Sequence, residues 1–197
     1  MNQTKSMYIV LSASPTVLSR AIRRFMGDTY SHAALSFDEN LTYMFSFGRR
    51  RAWNPFIGCF KLENIGEGLY KRFRSLSGII IEIKVTEEQY NLARRLTSSF
   101  LLNADTYRYN YLGLAGNLVG IDHYSNTRFF CSEFVYHILH ESGIFDLGIP
   151  RGLVRPQTLL RLNGGVVYSG DLKQYHTVTS TMTHTFNTPR KYLSASL

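Results

Sequence analysis

The chain has 197 residues, 44% hydrophobic and 14% aromatic but only 18% charged, a balance that supports a packed core and excludes disorder over most of its length. Its two cysteines, Cys59 and Cys131, are far apart and form no CxxC pair, which excludes a disulfide framework and a cysteine-based zinc site and predicts a reducing, cytoplasmic compartment. The net charge of +8 is carried mostly by arginine, whose planar fork suits phosphate and carboxylate, although charge bears on association rather than fold.

In chain order, Met7 to Leu11 reads as a buried first strand, too short for the core of a signal peptide, and no later segment reaches 18 consecutive apolar residues. Thr16 to Phe25 shows helical spacing of Val17, Leu18, Ala21, Ile22 and Phe25, with Arg20, Arg23 and Arg24 on the other face. Residues 31–37 and 42–47 predict a hairpin around Asp38-Glu39-Asn40; a turn centred on Glu39 sets Ser46 opposite His32. The following 30 residues, with Gly58, Gly66 and Gly68, read as irregular up to a β-branched strand from Ile79 to Val85. Thr86 with Gln89 marks a capping box, opening a helix that runs to about Asn103. A polar stretch from Asp105 to Thr127 leads into a helix over Phe129–Leu139 that Gly143 ends. A short helical turn at 155–160 and a last strand at 166–169 complete a single domain spanning 1–176, and the Thr- and Ser-rich 177–197 reads as a mobile tail.

Cys131 falls in the first turn of its helix, with Asn126 or Thr127 as candidate caps, where the positive end of the helix dipole favours a thiolate. His32 supplies the imidazole that a cysteine nucleophile needs as base and ion-pair partner. By alternation it shares a strand face with the small residues Ala34 and Ser36, leaving room for a helix, and Ser46 is placed to orient the ring. Position alone also suits a small buried hydrophobe at 131 and a locally satisfied histidine at 32. Cys59 lies outside any helix start and reads as structural, and the histidines form no i,i+4 metal pair, so neither a metal nor an organic cofactor is expected.

The motifs Tyr30-Ser31-His32-Ala33-Ala34-Leu35, Tyr43-Met44-Phe45-Ser46-Phe47 and Phe129-Phe130-Cys131-Ser132-Glu133-Phe134-Val135 resemble the histidine strand, the following strand and the cysteine helix of the circularly permuted NlpC-like branch of the papain-like thiol hydrolases, which includes the YiiX-like proteins and, more distantly, the lecithin:retinol acyltransferase group. The resemblance covers about residues 7 to 170, and the order, histidine strand before cysteine helix, is that of the permuted branch. It implies an α+β papain-like fold with an antiparallel sheet packed against helices. It further implies a cysteine peptidase or amidase acting by acyl transfer through Cys131, with His32 as base, Ser46 as third residue and Tyr109 lining the pocket. Relatives often carry Glu or His where Ser46 stands, and Asn110 takes the place of their acid after the tyrosine. A serine cannot stabilise imidazolium by charge.

Arg49, Arg50 and Arg51 directly follow the strand that carries Ser46 and are expected to steer an anionic peptide, amide or acyl substrate into the site. Two rival functions fit the same residues. One is a lipid acyltransferase or phospholipase of the lecithin:retinol type, touching a membrane surface through arginines and aromatics. The other is an inactive module of the same fold that binds a polyanion; nucleic acid is not expected as a partner of the hydrolase.

Overall fold

The computed structural model of the protein describes residues 4–14, 20, 24–51 and 54–175. The helix expected over Thr16–Phe25 falls largely outside these residues, as does the tail at 177–197. The architecture is α+β. A six-stranded, wholly antiparallel sheet runs in the order β4-β3-β2-β1-β5-β8. Its strands are β1 (Thr4–Ser12), β2 (His32–Ser36), β3 (Met44–Arg51), β4 (Asn54–Glu63), β5 (Ser77–Thr86) and β8 (Gly165–Asp171). Two short strands, β6 (Arg108–Tyr109) and β7 (Arg128–Phe129), pair in parallel apart from it. The helices are α1 (Gly68–Lys71), α2 (Glu87–Leu102), α3 (Tyr111–Leu118) and α4 (Cys131–Glu141).

The centre of the sheet is β1 against β5, paired without interruption from Thr4–Thr86 to Ser12–Gly78. Both strands are rich in branched apolar residues, which suit a sheet covered on both faces. One face carries Met7, Ile9, Leu11, Ala33, Leu35, Ile81 and Ile83 under helices α2 and α4; the other carries Tyr8, Val10, Ala34, Met44 and Ile80 under Leu41, Ile65, Tyr70, Leu76 and Leu172. The cysteine helix thus packs on the Ala33/Leu35 face. Alternation had placed it against Ala34 and Ser36, but those small residues face the other cluster or the turn.

Helix α2 starts as its capping box dictates: the Thr86 side chain accepts the Gln89 N–H at 3.2 Å and the Gln89 side chain accepts the Thr86 N–H at 3.0 Å. Helix α4 is anchored by Phe134, fully buried one turn beyond Cys131, whose ring lies 5.6, 5.3 and 5.1 Å from those of Phe47, Phe60 and Phe100. Inclined aromatic contacts of this kind add roughly 0.5–1.5 kcal/mol each to area burial, so they fix the helix start firmly against β3 and β4.

Two departures from the sequence expectation shape the site. The hairpin pairs Leu35 with Phe45 and Ser36 with Met44, which centres the turn on Asn40 rather than Glu39. The Asp38 carboxylate accepts the backbone N–H and side-chain O–H of Thr42, and Leu41 takes a left-handed φ of 51° that buries its side chain. The turn is therefore displaced by one residue and the register by two. In addition, the stretch expected to be irregular contains β4, a ten-residue strand at the edge of the sheet, where Pro55 is tolerated because an edge strand need not donate every N–H.

Candidate active site

His32 is the first residue of β2, Cys131 the first of α4, and Glu63 the last of β4. The His32 Nε2 lies 2.9 Å from Glu63 Oε2, and the Cys131 side chain is a hydrogen-bonding neighbour of the same imidazole. The cluster is largely removed from water: the side chains of His32 and Glu63 are 16% and 7% exposed and Cys131 6%.

The electrostatics follow from that burial. Desolvation alone pushes the His32 pKa down, but the Glu63 carboxylate, with hydrogen bonds to Glu63 and Cys131, outweighs it and raises it to about 10. For Glu63 burial works upward, yet His32, Lys61 and the Tyr70 hydroxyl together hold the carboxyl below its ordinary value. Opposite shifts in two touching groups describe an imidazolium held by a carboxylate at neutral pH.

Ser46 does not orient the ring. Its hydroxyl donates to the Ala33 carbonyl at 2.6 Å and is fully buried, bridging β3 to β2 beyond the two paired residues of that ladder. With the register displaced, the residue beside His32 Nε2 is Glu63, which lies inside the stretch expected to be irregular. One signal was present: Phe60-Lys61-Leu62-Glu63 alternates apolar and charged residues, the period of a half-buried strand. Gly48 was also unmarked, and a Cβ there would lie 3.3 Å from Glu63 Oε1 and 4.0 Å from His32 Cε1, so the absence of a side chain leaves the pair its room.

Tyr109 sits in β6 against β4: a Cβ on Gly58 would fall 2.5 Å from the Tyr109 Cβ, and the Tyr109 ring lies 4.6 Å from Tyr111. Its neighbour Asn110 caps α3 by accepting the Gly113 N–H at 2.8 Å, and its amide donates to Glu133 Oε2 at 3.3 Å. Arg49, Arg50 and Arg51 end β3, three residues that begin one position past Gly48; their side chains lie outside the described residues.

The helix that begins at Cys131 is capped from within. Neither Asn126 nor Thr127 is its cap; Phe130 occupies that position, and its N–H donates to Glu133 Oε2 at 3.2 Å. The fully buried Glu133 pairs with Arg151 at 3.1 Å, while the Arg151 guanidinium lies over the rings of Tyr124 and Phe129, 4.5 and 4.4 Å from their centroids. Arg151 opens a strap over residues 151–157. Within it Val154 O accepts from Ser132 Oγ at 2.8 Å, Arg155 pairs with Asp28 at 3.2 Å, and Gln157 Oε1 accepts the N–H groups of Thr29 and Tyr30 at 3.0 and 3.4 Å. The strap therefore grips the start of the cysteine helix and the approach to the histidine strand together.

Among the described residues no group of His, Cys, Asp and Glu is arranged to hold a metal ion, and no helix is long and apolar enough to cross a membrane. Compared with known proteins, the chain matches no protein family and no curated protein.

Proposed function

We propose that the protein is a cysteine hydrolase of peptidase or amidase type, with the papain-like, circularly permuted arrangement, in which Cys131 is the nucleophile, His32 the base and Glu63 the third residue. The observation that carries this reading is the His32 imidazole meeting a buried carboxylate at 2.9 Å, with the thiol at the first position of a helix close enough to raise the pKa of the same ring. A buried imidazole held on one side by an anion and on the other by a nucleophile is the arrangement that acyl transfer requires. The chain order of histidine strand, carboxylate strand and cysteine helix supports the permuted form, and a glutamate as third residue matches what relatives of that branch often carry.

In the reaction Cys131 attacks as the thiolate paired with the His32 imidazolium, its sulfur forming a bond to the substrate carbonyl carbon while the C=O π electrons pass to the oxygen as negative charge. The N–H groups of the first turn of α4 lack i−4 partners, as helix starts do, and would receive that charge. His32 then gives its proton to the departing amine or alcohol, leaving a thioester on Cys131. Water attacks this thioester, His32 removes a proton from the water, and collapse releases the carboxylic acid and the Cys131 thiolate beside the reprotonated His32. Glu63 holds the imidazole in one tautomer and stabilises its charged form throughout. Arg49, Arg50 and Arg51, next along β3 from Gly48, would favour substrates bearing a carboxylate or phosphate.

The test is to label the native protein with a limiting thiol reagent near pH 6 and map the adduct. Preferential modification of Cys131, lost in His32→Ala, is expected, because reactivity follows thiolate fraction and access. Predominant modification of Cys59 would refute the assignment.

A further inference from the structure

Glu63 is held on two sides by the same oxygen: Oε2 accepts from Tyr70 Oη at 3.0 Å as well as meeting His32 Nε2 at 2.9 Å. Tyr70 belongs to the one-turn helix α1, in the connection that runs from β4 back to β5, and is almost fully buried among Tyr8, Val10, Met44 and Ile80. Its ring meets the His32 ring edge-on, with centroids 6.2 Å apart at 60°, and Phe73 packs on its other side at 6.5 Å. The packing fixes where the phenol points, and the phenol touches the carboxylate rather than any reacting atom.

We propose that Tyr70 is a positioning residue for the Cys131–His32–Glu63 site, its hydroxyl keeping Glu63 ionised and aimed at Nε2. The proposal rests on the hydrolase reading above and adds a fourth member to it. Three physical arguments carry it. A carboxylate removed from water needs donors for its lone pairs, and a single imidazole N–H does not saturate Oε2. A hydrogen bond to the charged form of an acid favours that form. A phenol remains a donor at every working pH when burial, and then the neighbouring Glu63 charge, push its own ionisation well above the usual range, as they do for Tyr70. The charged and titratable groups facing Glu63 are His32 from β2, Lys61 from β4 itself and Tyr70 from α1; Cys131 from α4 and Ser12 from β1 face Tyr70. Of the groups around Glu63, Tyr70 is the neutral donor, so it can support the carboxylate without competing with His32 for its charge.

The experiment compares wild type, Tyr70→Phe, Glu63→Gln and the double variant. The Glu63 carboxyl is followed by ¹³C NMR as pH is varied, with Glu63→Gln identifying the resonance, and turnover is measured with p-nitrophenyl acetate. Tyr70→Phe keeps the ring and its packing, so the expected result is a Glu63 titration moved up by about one pH unit and a kcat lowered about tenfold at unchanged KM. In the Glu63→Gln background the same change is expected to have no further effect. Site-specific 3-fluorotyrosine at position 70, a stronger donor of nearly the same shape, should move the Glu63 titration down, and this arm stands even if Tyr70→Phe fails to fold. A Glu63 titration indifferent to both changes, or a loss of kcat that persists undiminished in the double variant, would overturn the proposal. Ester turnover unaffected by Cys131→Ser would instead overturn the hydrolase reading, while the NMR arms would still decide whether Tyr70 governs Glu63.

Discussion

His32 and Glu63 meet at 2.9 Å although they stand on β2 and β4, strands that β3 separates in the sheet. Contact across an intervening strand needs a gap in it, and Gly48 of β3 provides one beside both side chains. On the proposed assignment Glu63 rather than Ser46 is the third residue, and the two are separable by mutation. Glu63→Gln is expected to lower kcat by about a hundredfold or more, in line with losing orientation of a general base. Ser46→Ala should leave kcat nearly intact and cost ~1–3 kcal/mol of stability, because the Ala33 carbonyl loses its buried donor. Denaturant titration with ester turnover checks both; a larger kcat loss for Ser46→Ala than for Glu63→Gln would reverse the assignment.

Gly48→Ala is expected to reduce kcat without unfolding the protein. The added Cβ lies only 3.3 Å from Glu63 Oε1, so the carboxylate must move by a few tenths of an ångström, and catalytic geometry is sensitive to such shifts. Gly48→Val should be worse than Gly48→Ala. Equal activity in all three proteins would show that the Glu63 carboxylate is not held in place.

The pH dependence follows from the two opposed shifts. His32 is raised from 6.5 to about 10, so its stabilising contribution is complete below 6.5 and disappears as pH climbs through about 10. Glu63 is lowered from 4.5, so its contribution is complete above 4.5 and disappears as pH falls through the lowered value. The stability difference between wild type and Glu63→Gln should therefore be largest between pH 4.5 and 6.5 and shrink on either side. The alkaline limb of kcat/KM should sit near pH 10 in wild type and fall in Glu63→Gln, whose imidazole keeps the burial penalty and loses the anion. A difference in stability that stays level from pH 4 to 10 would contradict the pair.

Arg151→Ala should destabilise the fold by about 3–5 kcal/mol, the cost of leaving a buried charge without its partner. Burial already pushes the Glu133 pKa upward against the pull of Arg151, so removing the arginine pushes it further. The native state then holds a proton that the unfolded chain releases, and the deficit should narrow as pH is lowered. Chemical denaturation at pH 7.5 and 5 checks this, and a deficit independent of pH would place the role of Arg151 in its contacts with Tyr124 and Phe129.

Replacing Arg49, Arg50 and Arg51 together by Gln should lower kcat/KM selectively for an acidic acyl substrate over a neutral one of matched shape, with the difference shrinking as salt is raised. An equal effect on both substrates would remove these arginines from substrate capture and leave the chemistry at Cys131 untouched.

How much of this was legible in the sequence divides along a physical line. Local signals held where one segment decides its own structure: the Thr86/Gln89 capping box lies where pattern places it, and the β-branched run of β5, the Cys131 helix and the His32 strand lie within about two residues of their expected bounds. The register of the hairpin did not, because it hangs on Leu41 adopting a left-handed backbone to bury its side chain, a tertiary demand with no local marker. Glu63 was missed for a related reason. Pro55 and Gly58 punctuate β4 like a loop, and only the sheet beside it, with Tyr109 packed over Gly58, makes a strand there worthwhile.

The strap over residues 151–157 has a consequence in time. His32 and Glu63 leave the ribosome well before Cys131, and the groups that clasp both halves, Val154, Arg155 and Gln157, leave it later than any of the three. Contacts of such long sequence separation form slowly. On the proposed assignment the base and the carboxylate are therefore made before the nucleophile and before the strap that braces it. Thiol chemistry of the proposed kind would then begin only once the chain has been made past Gln157.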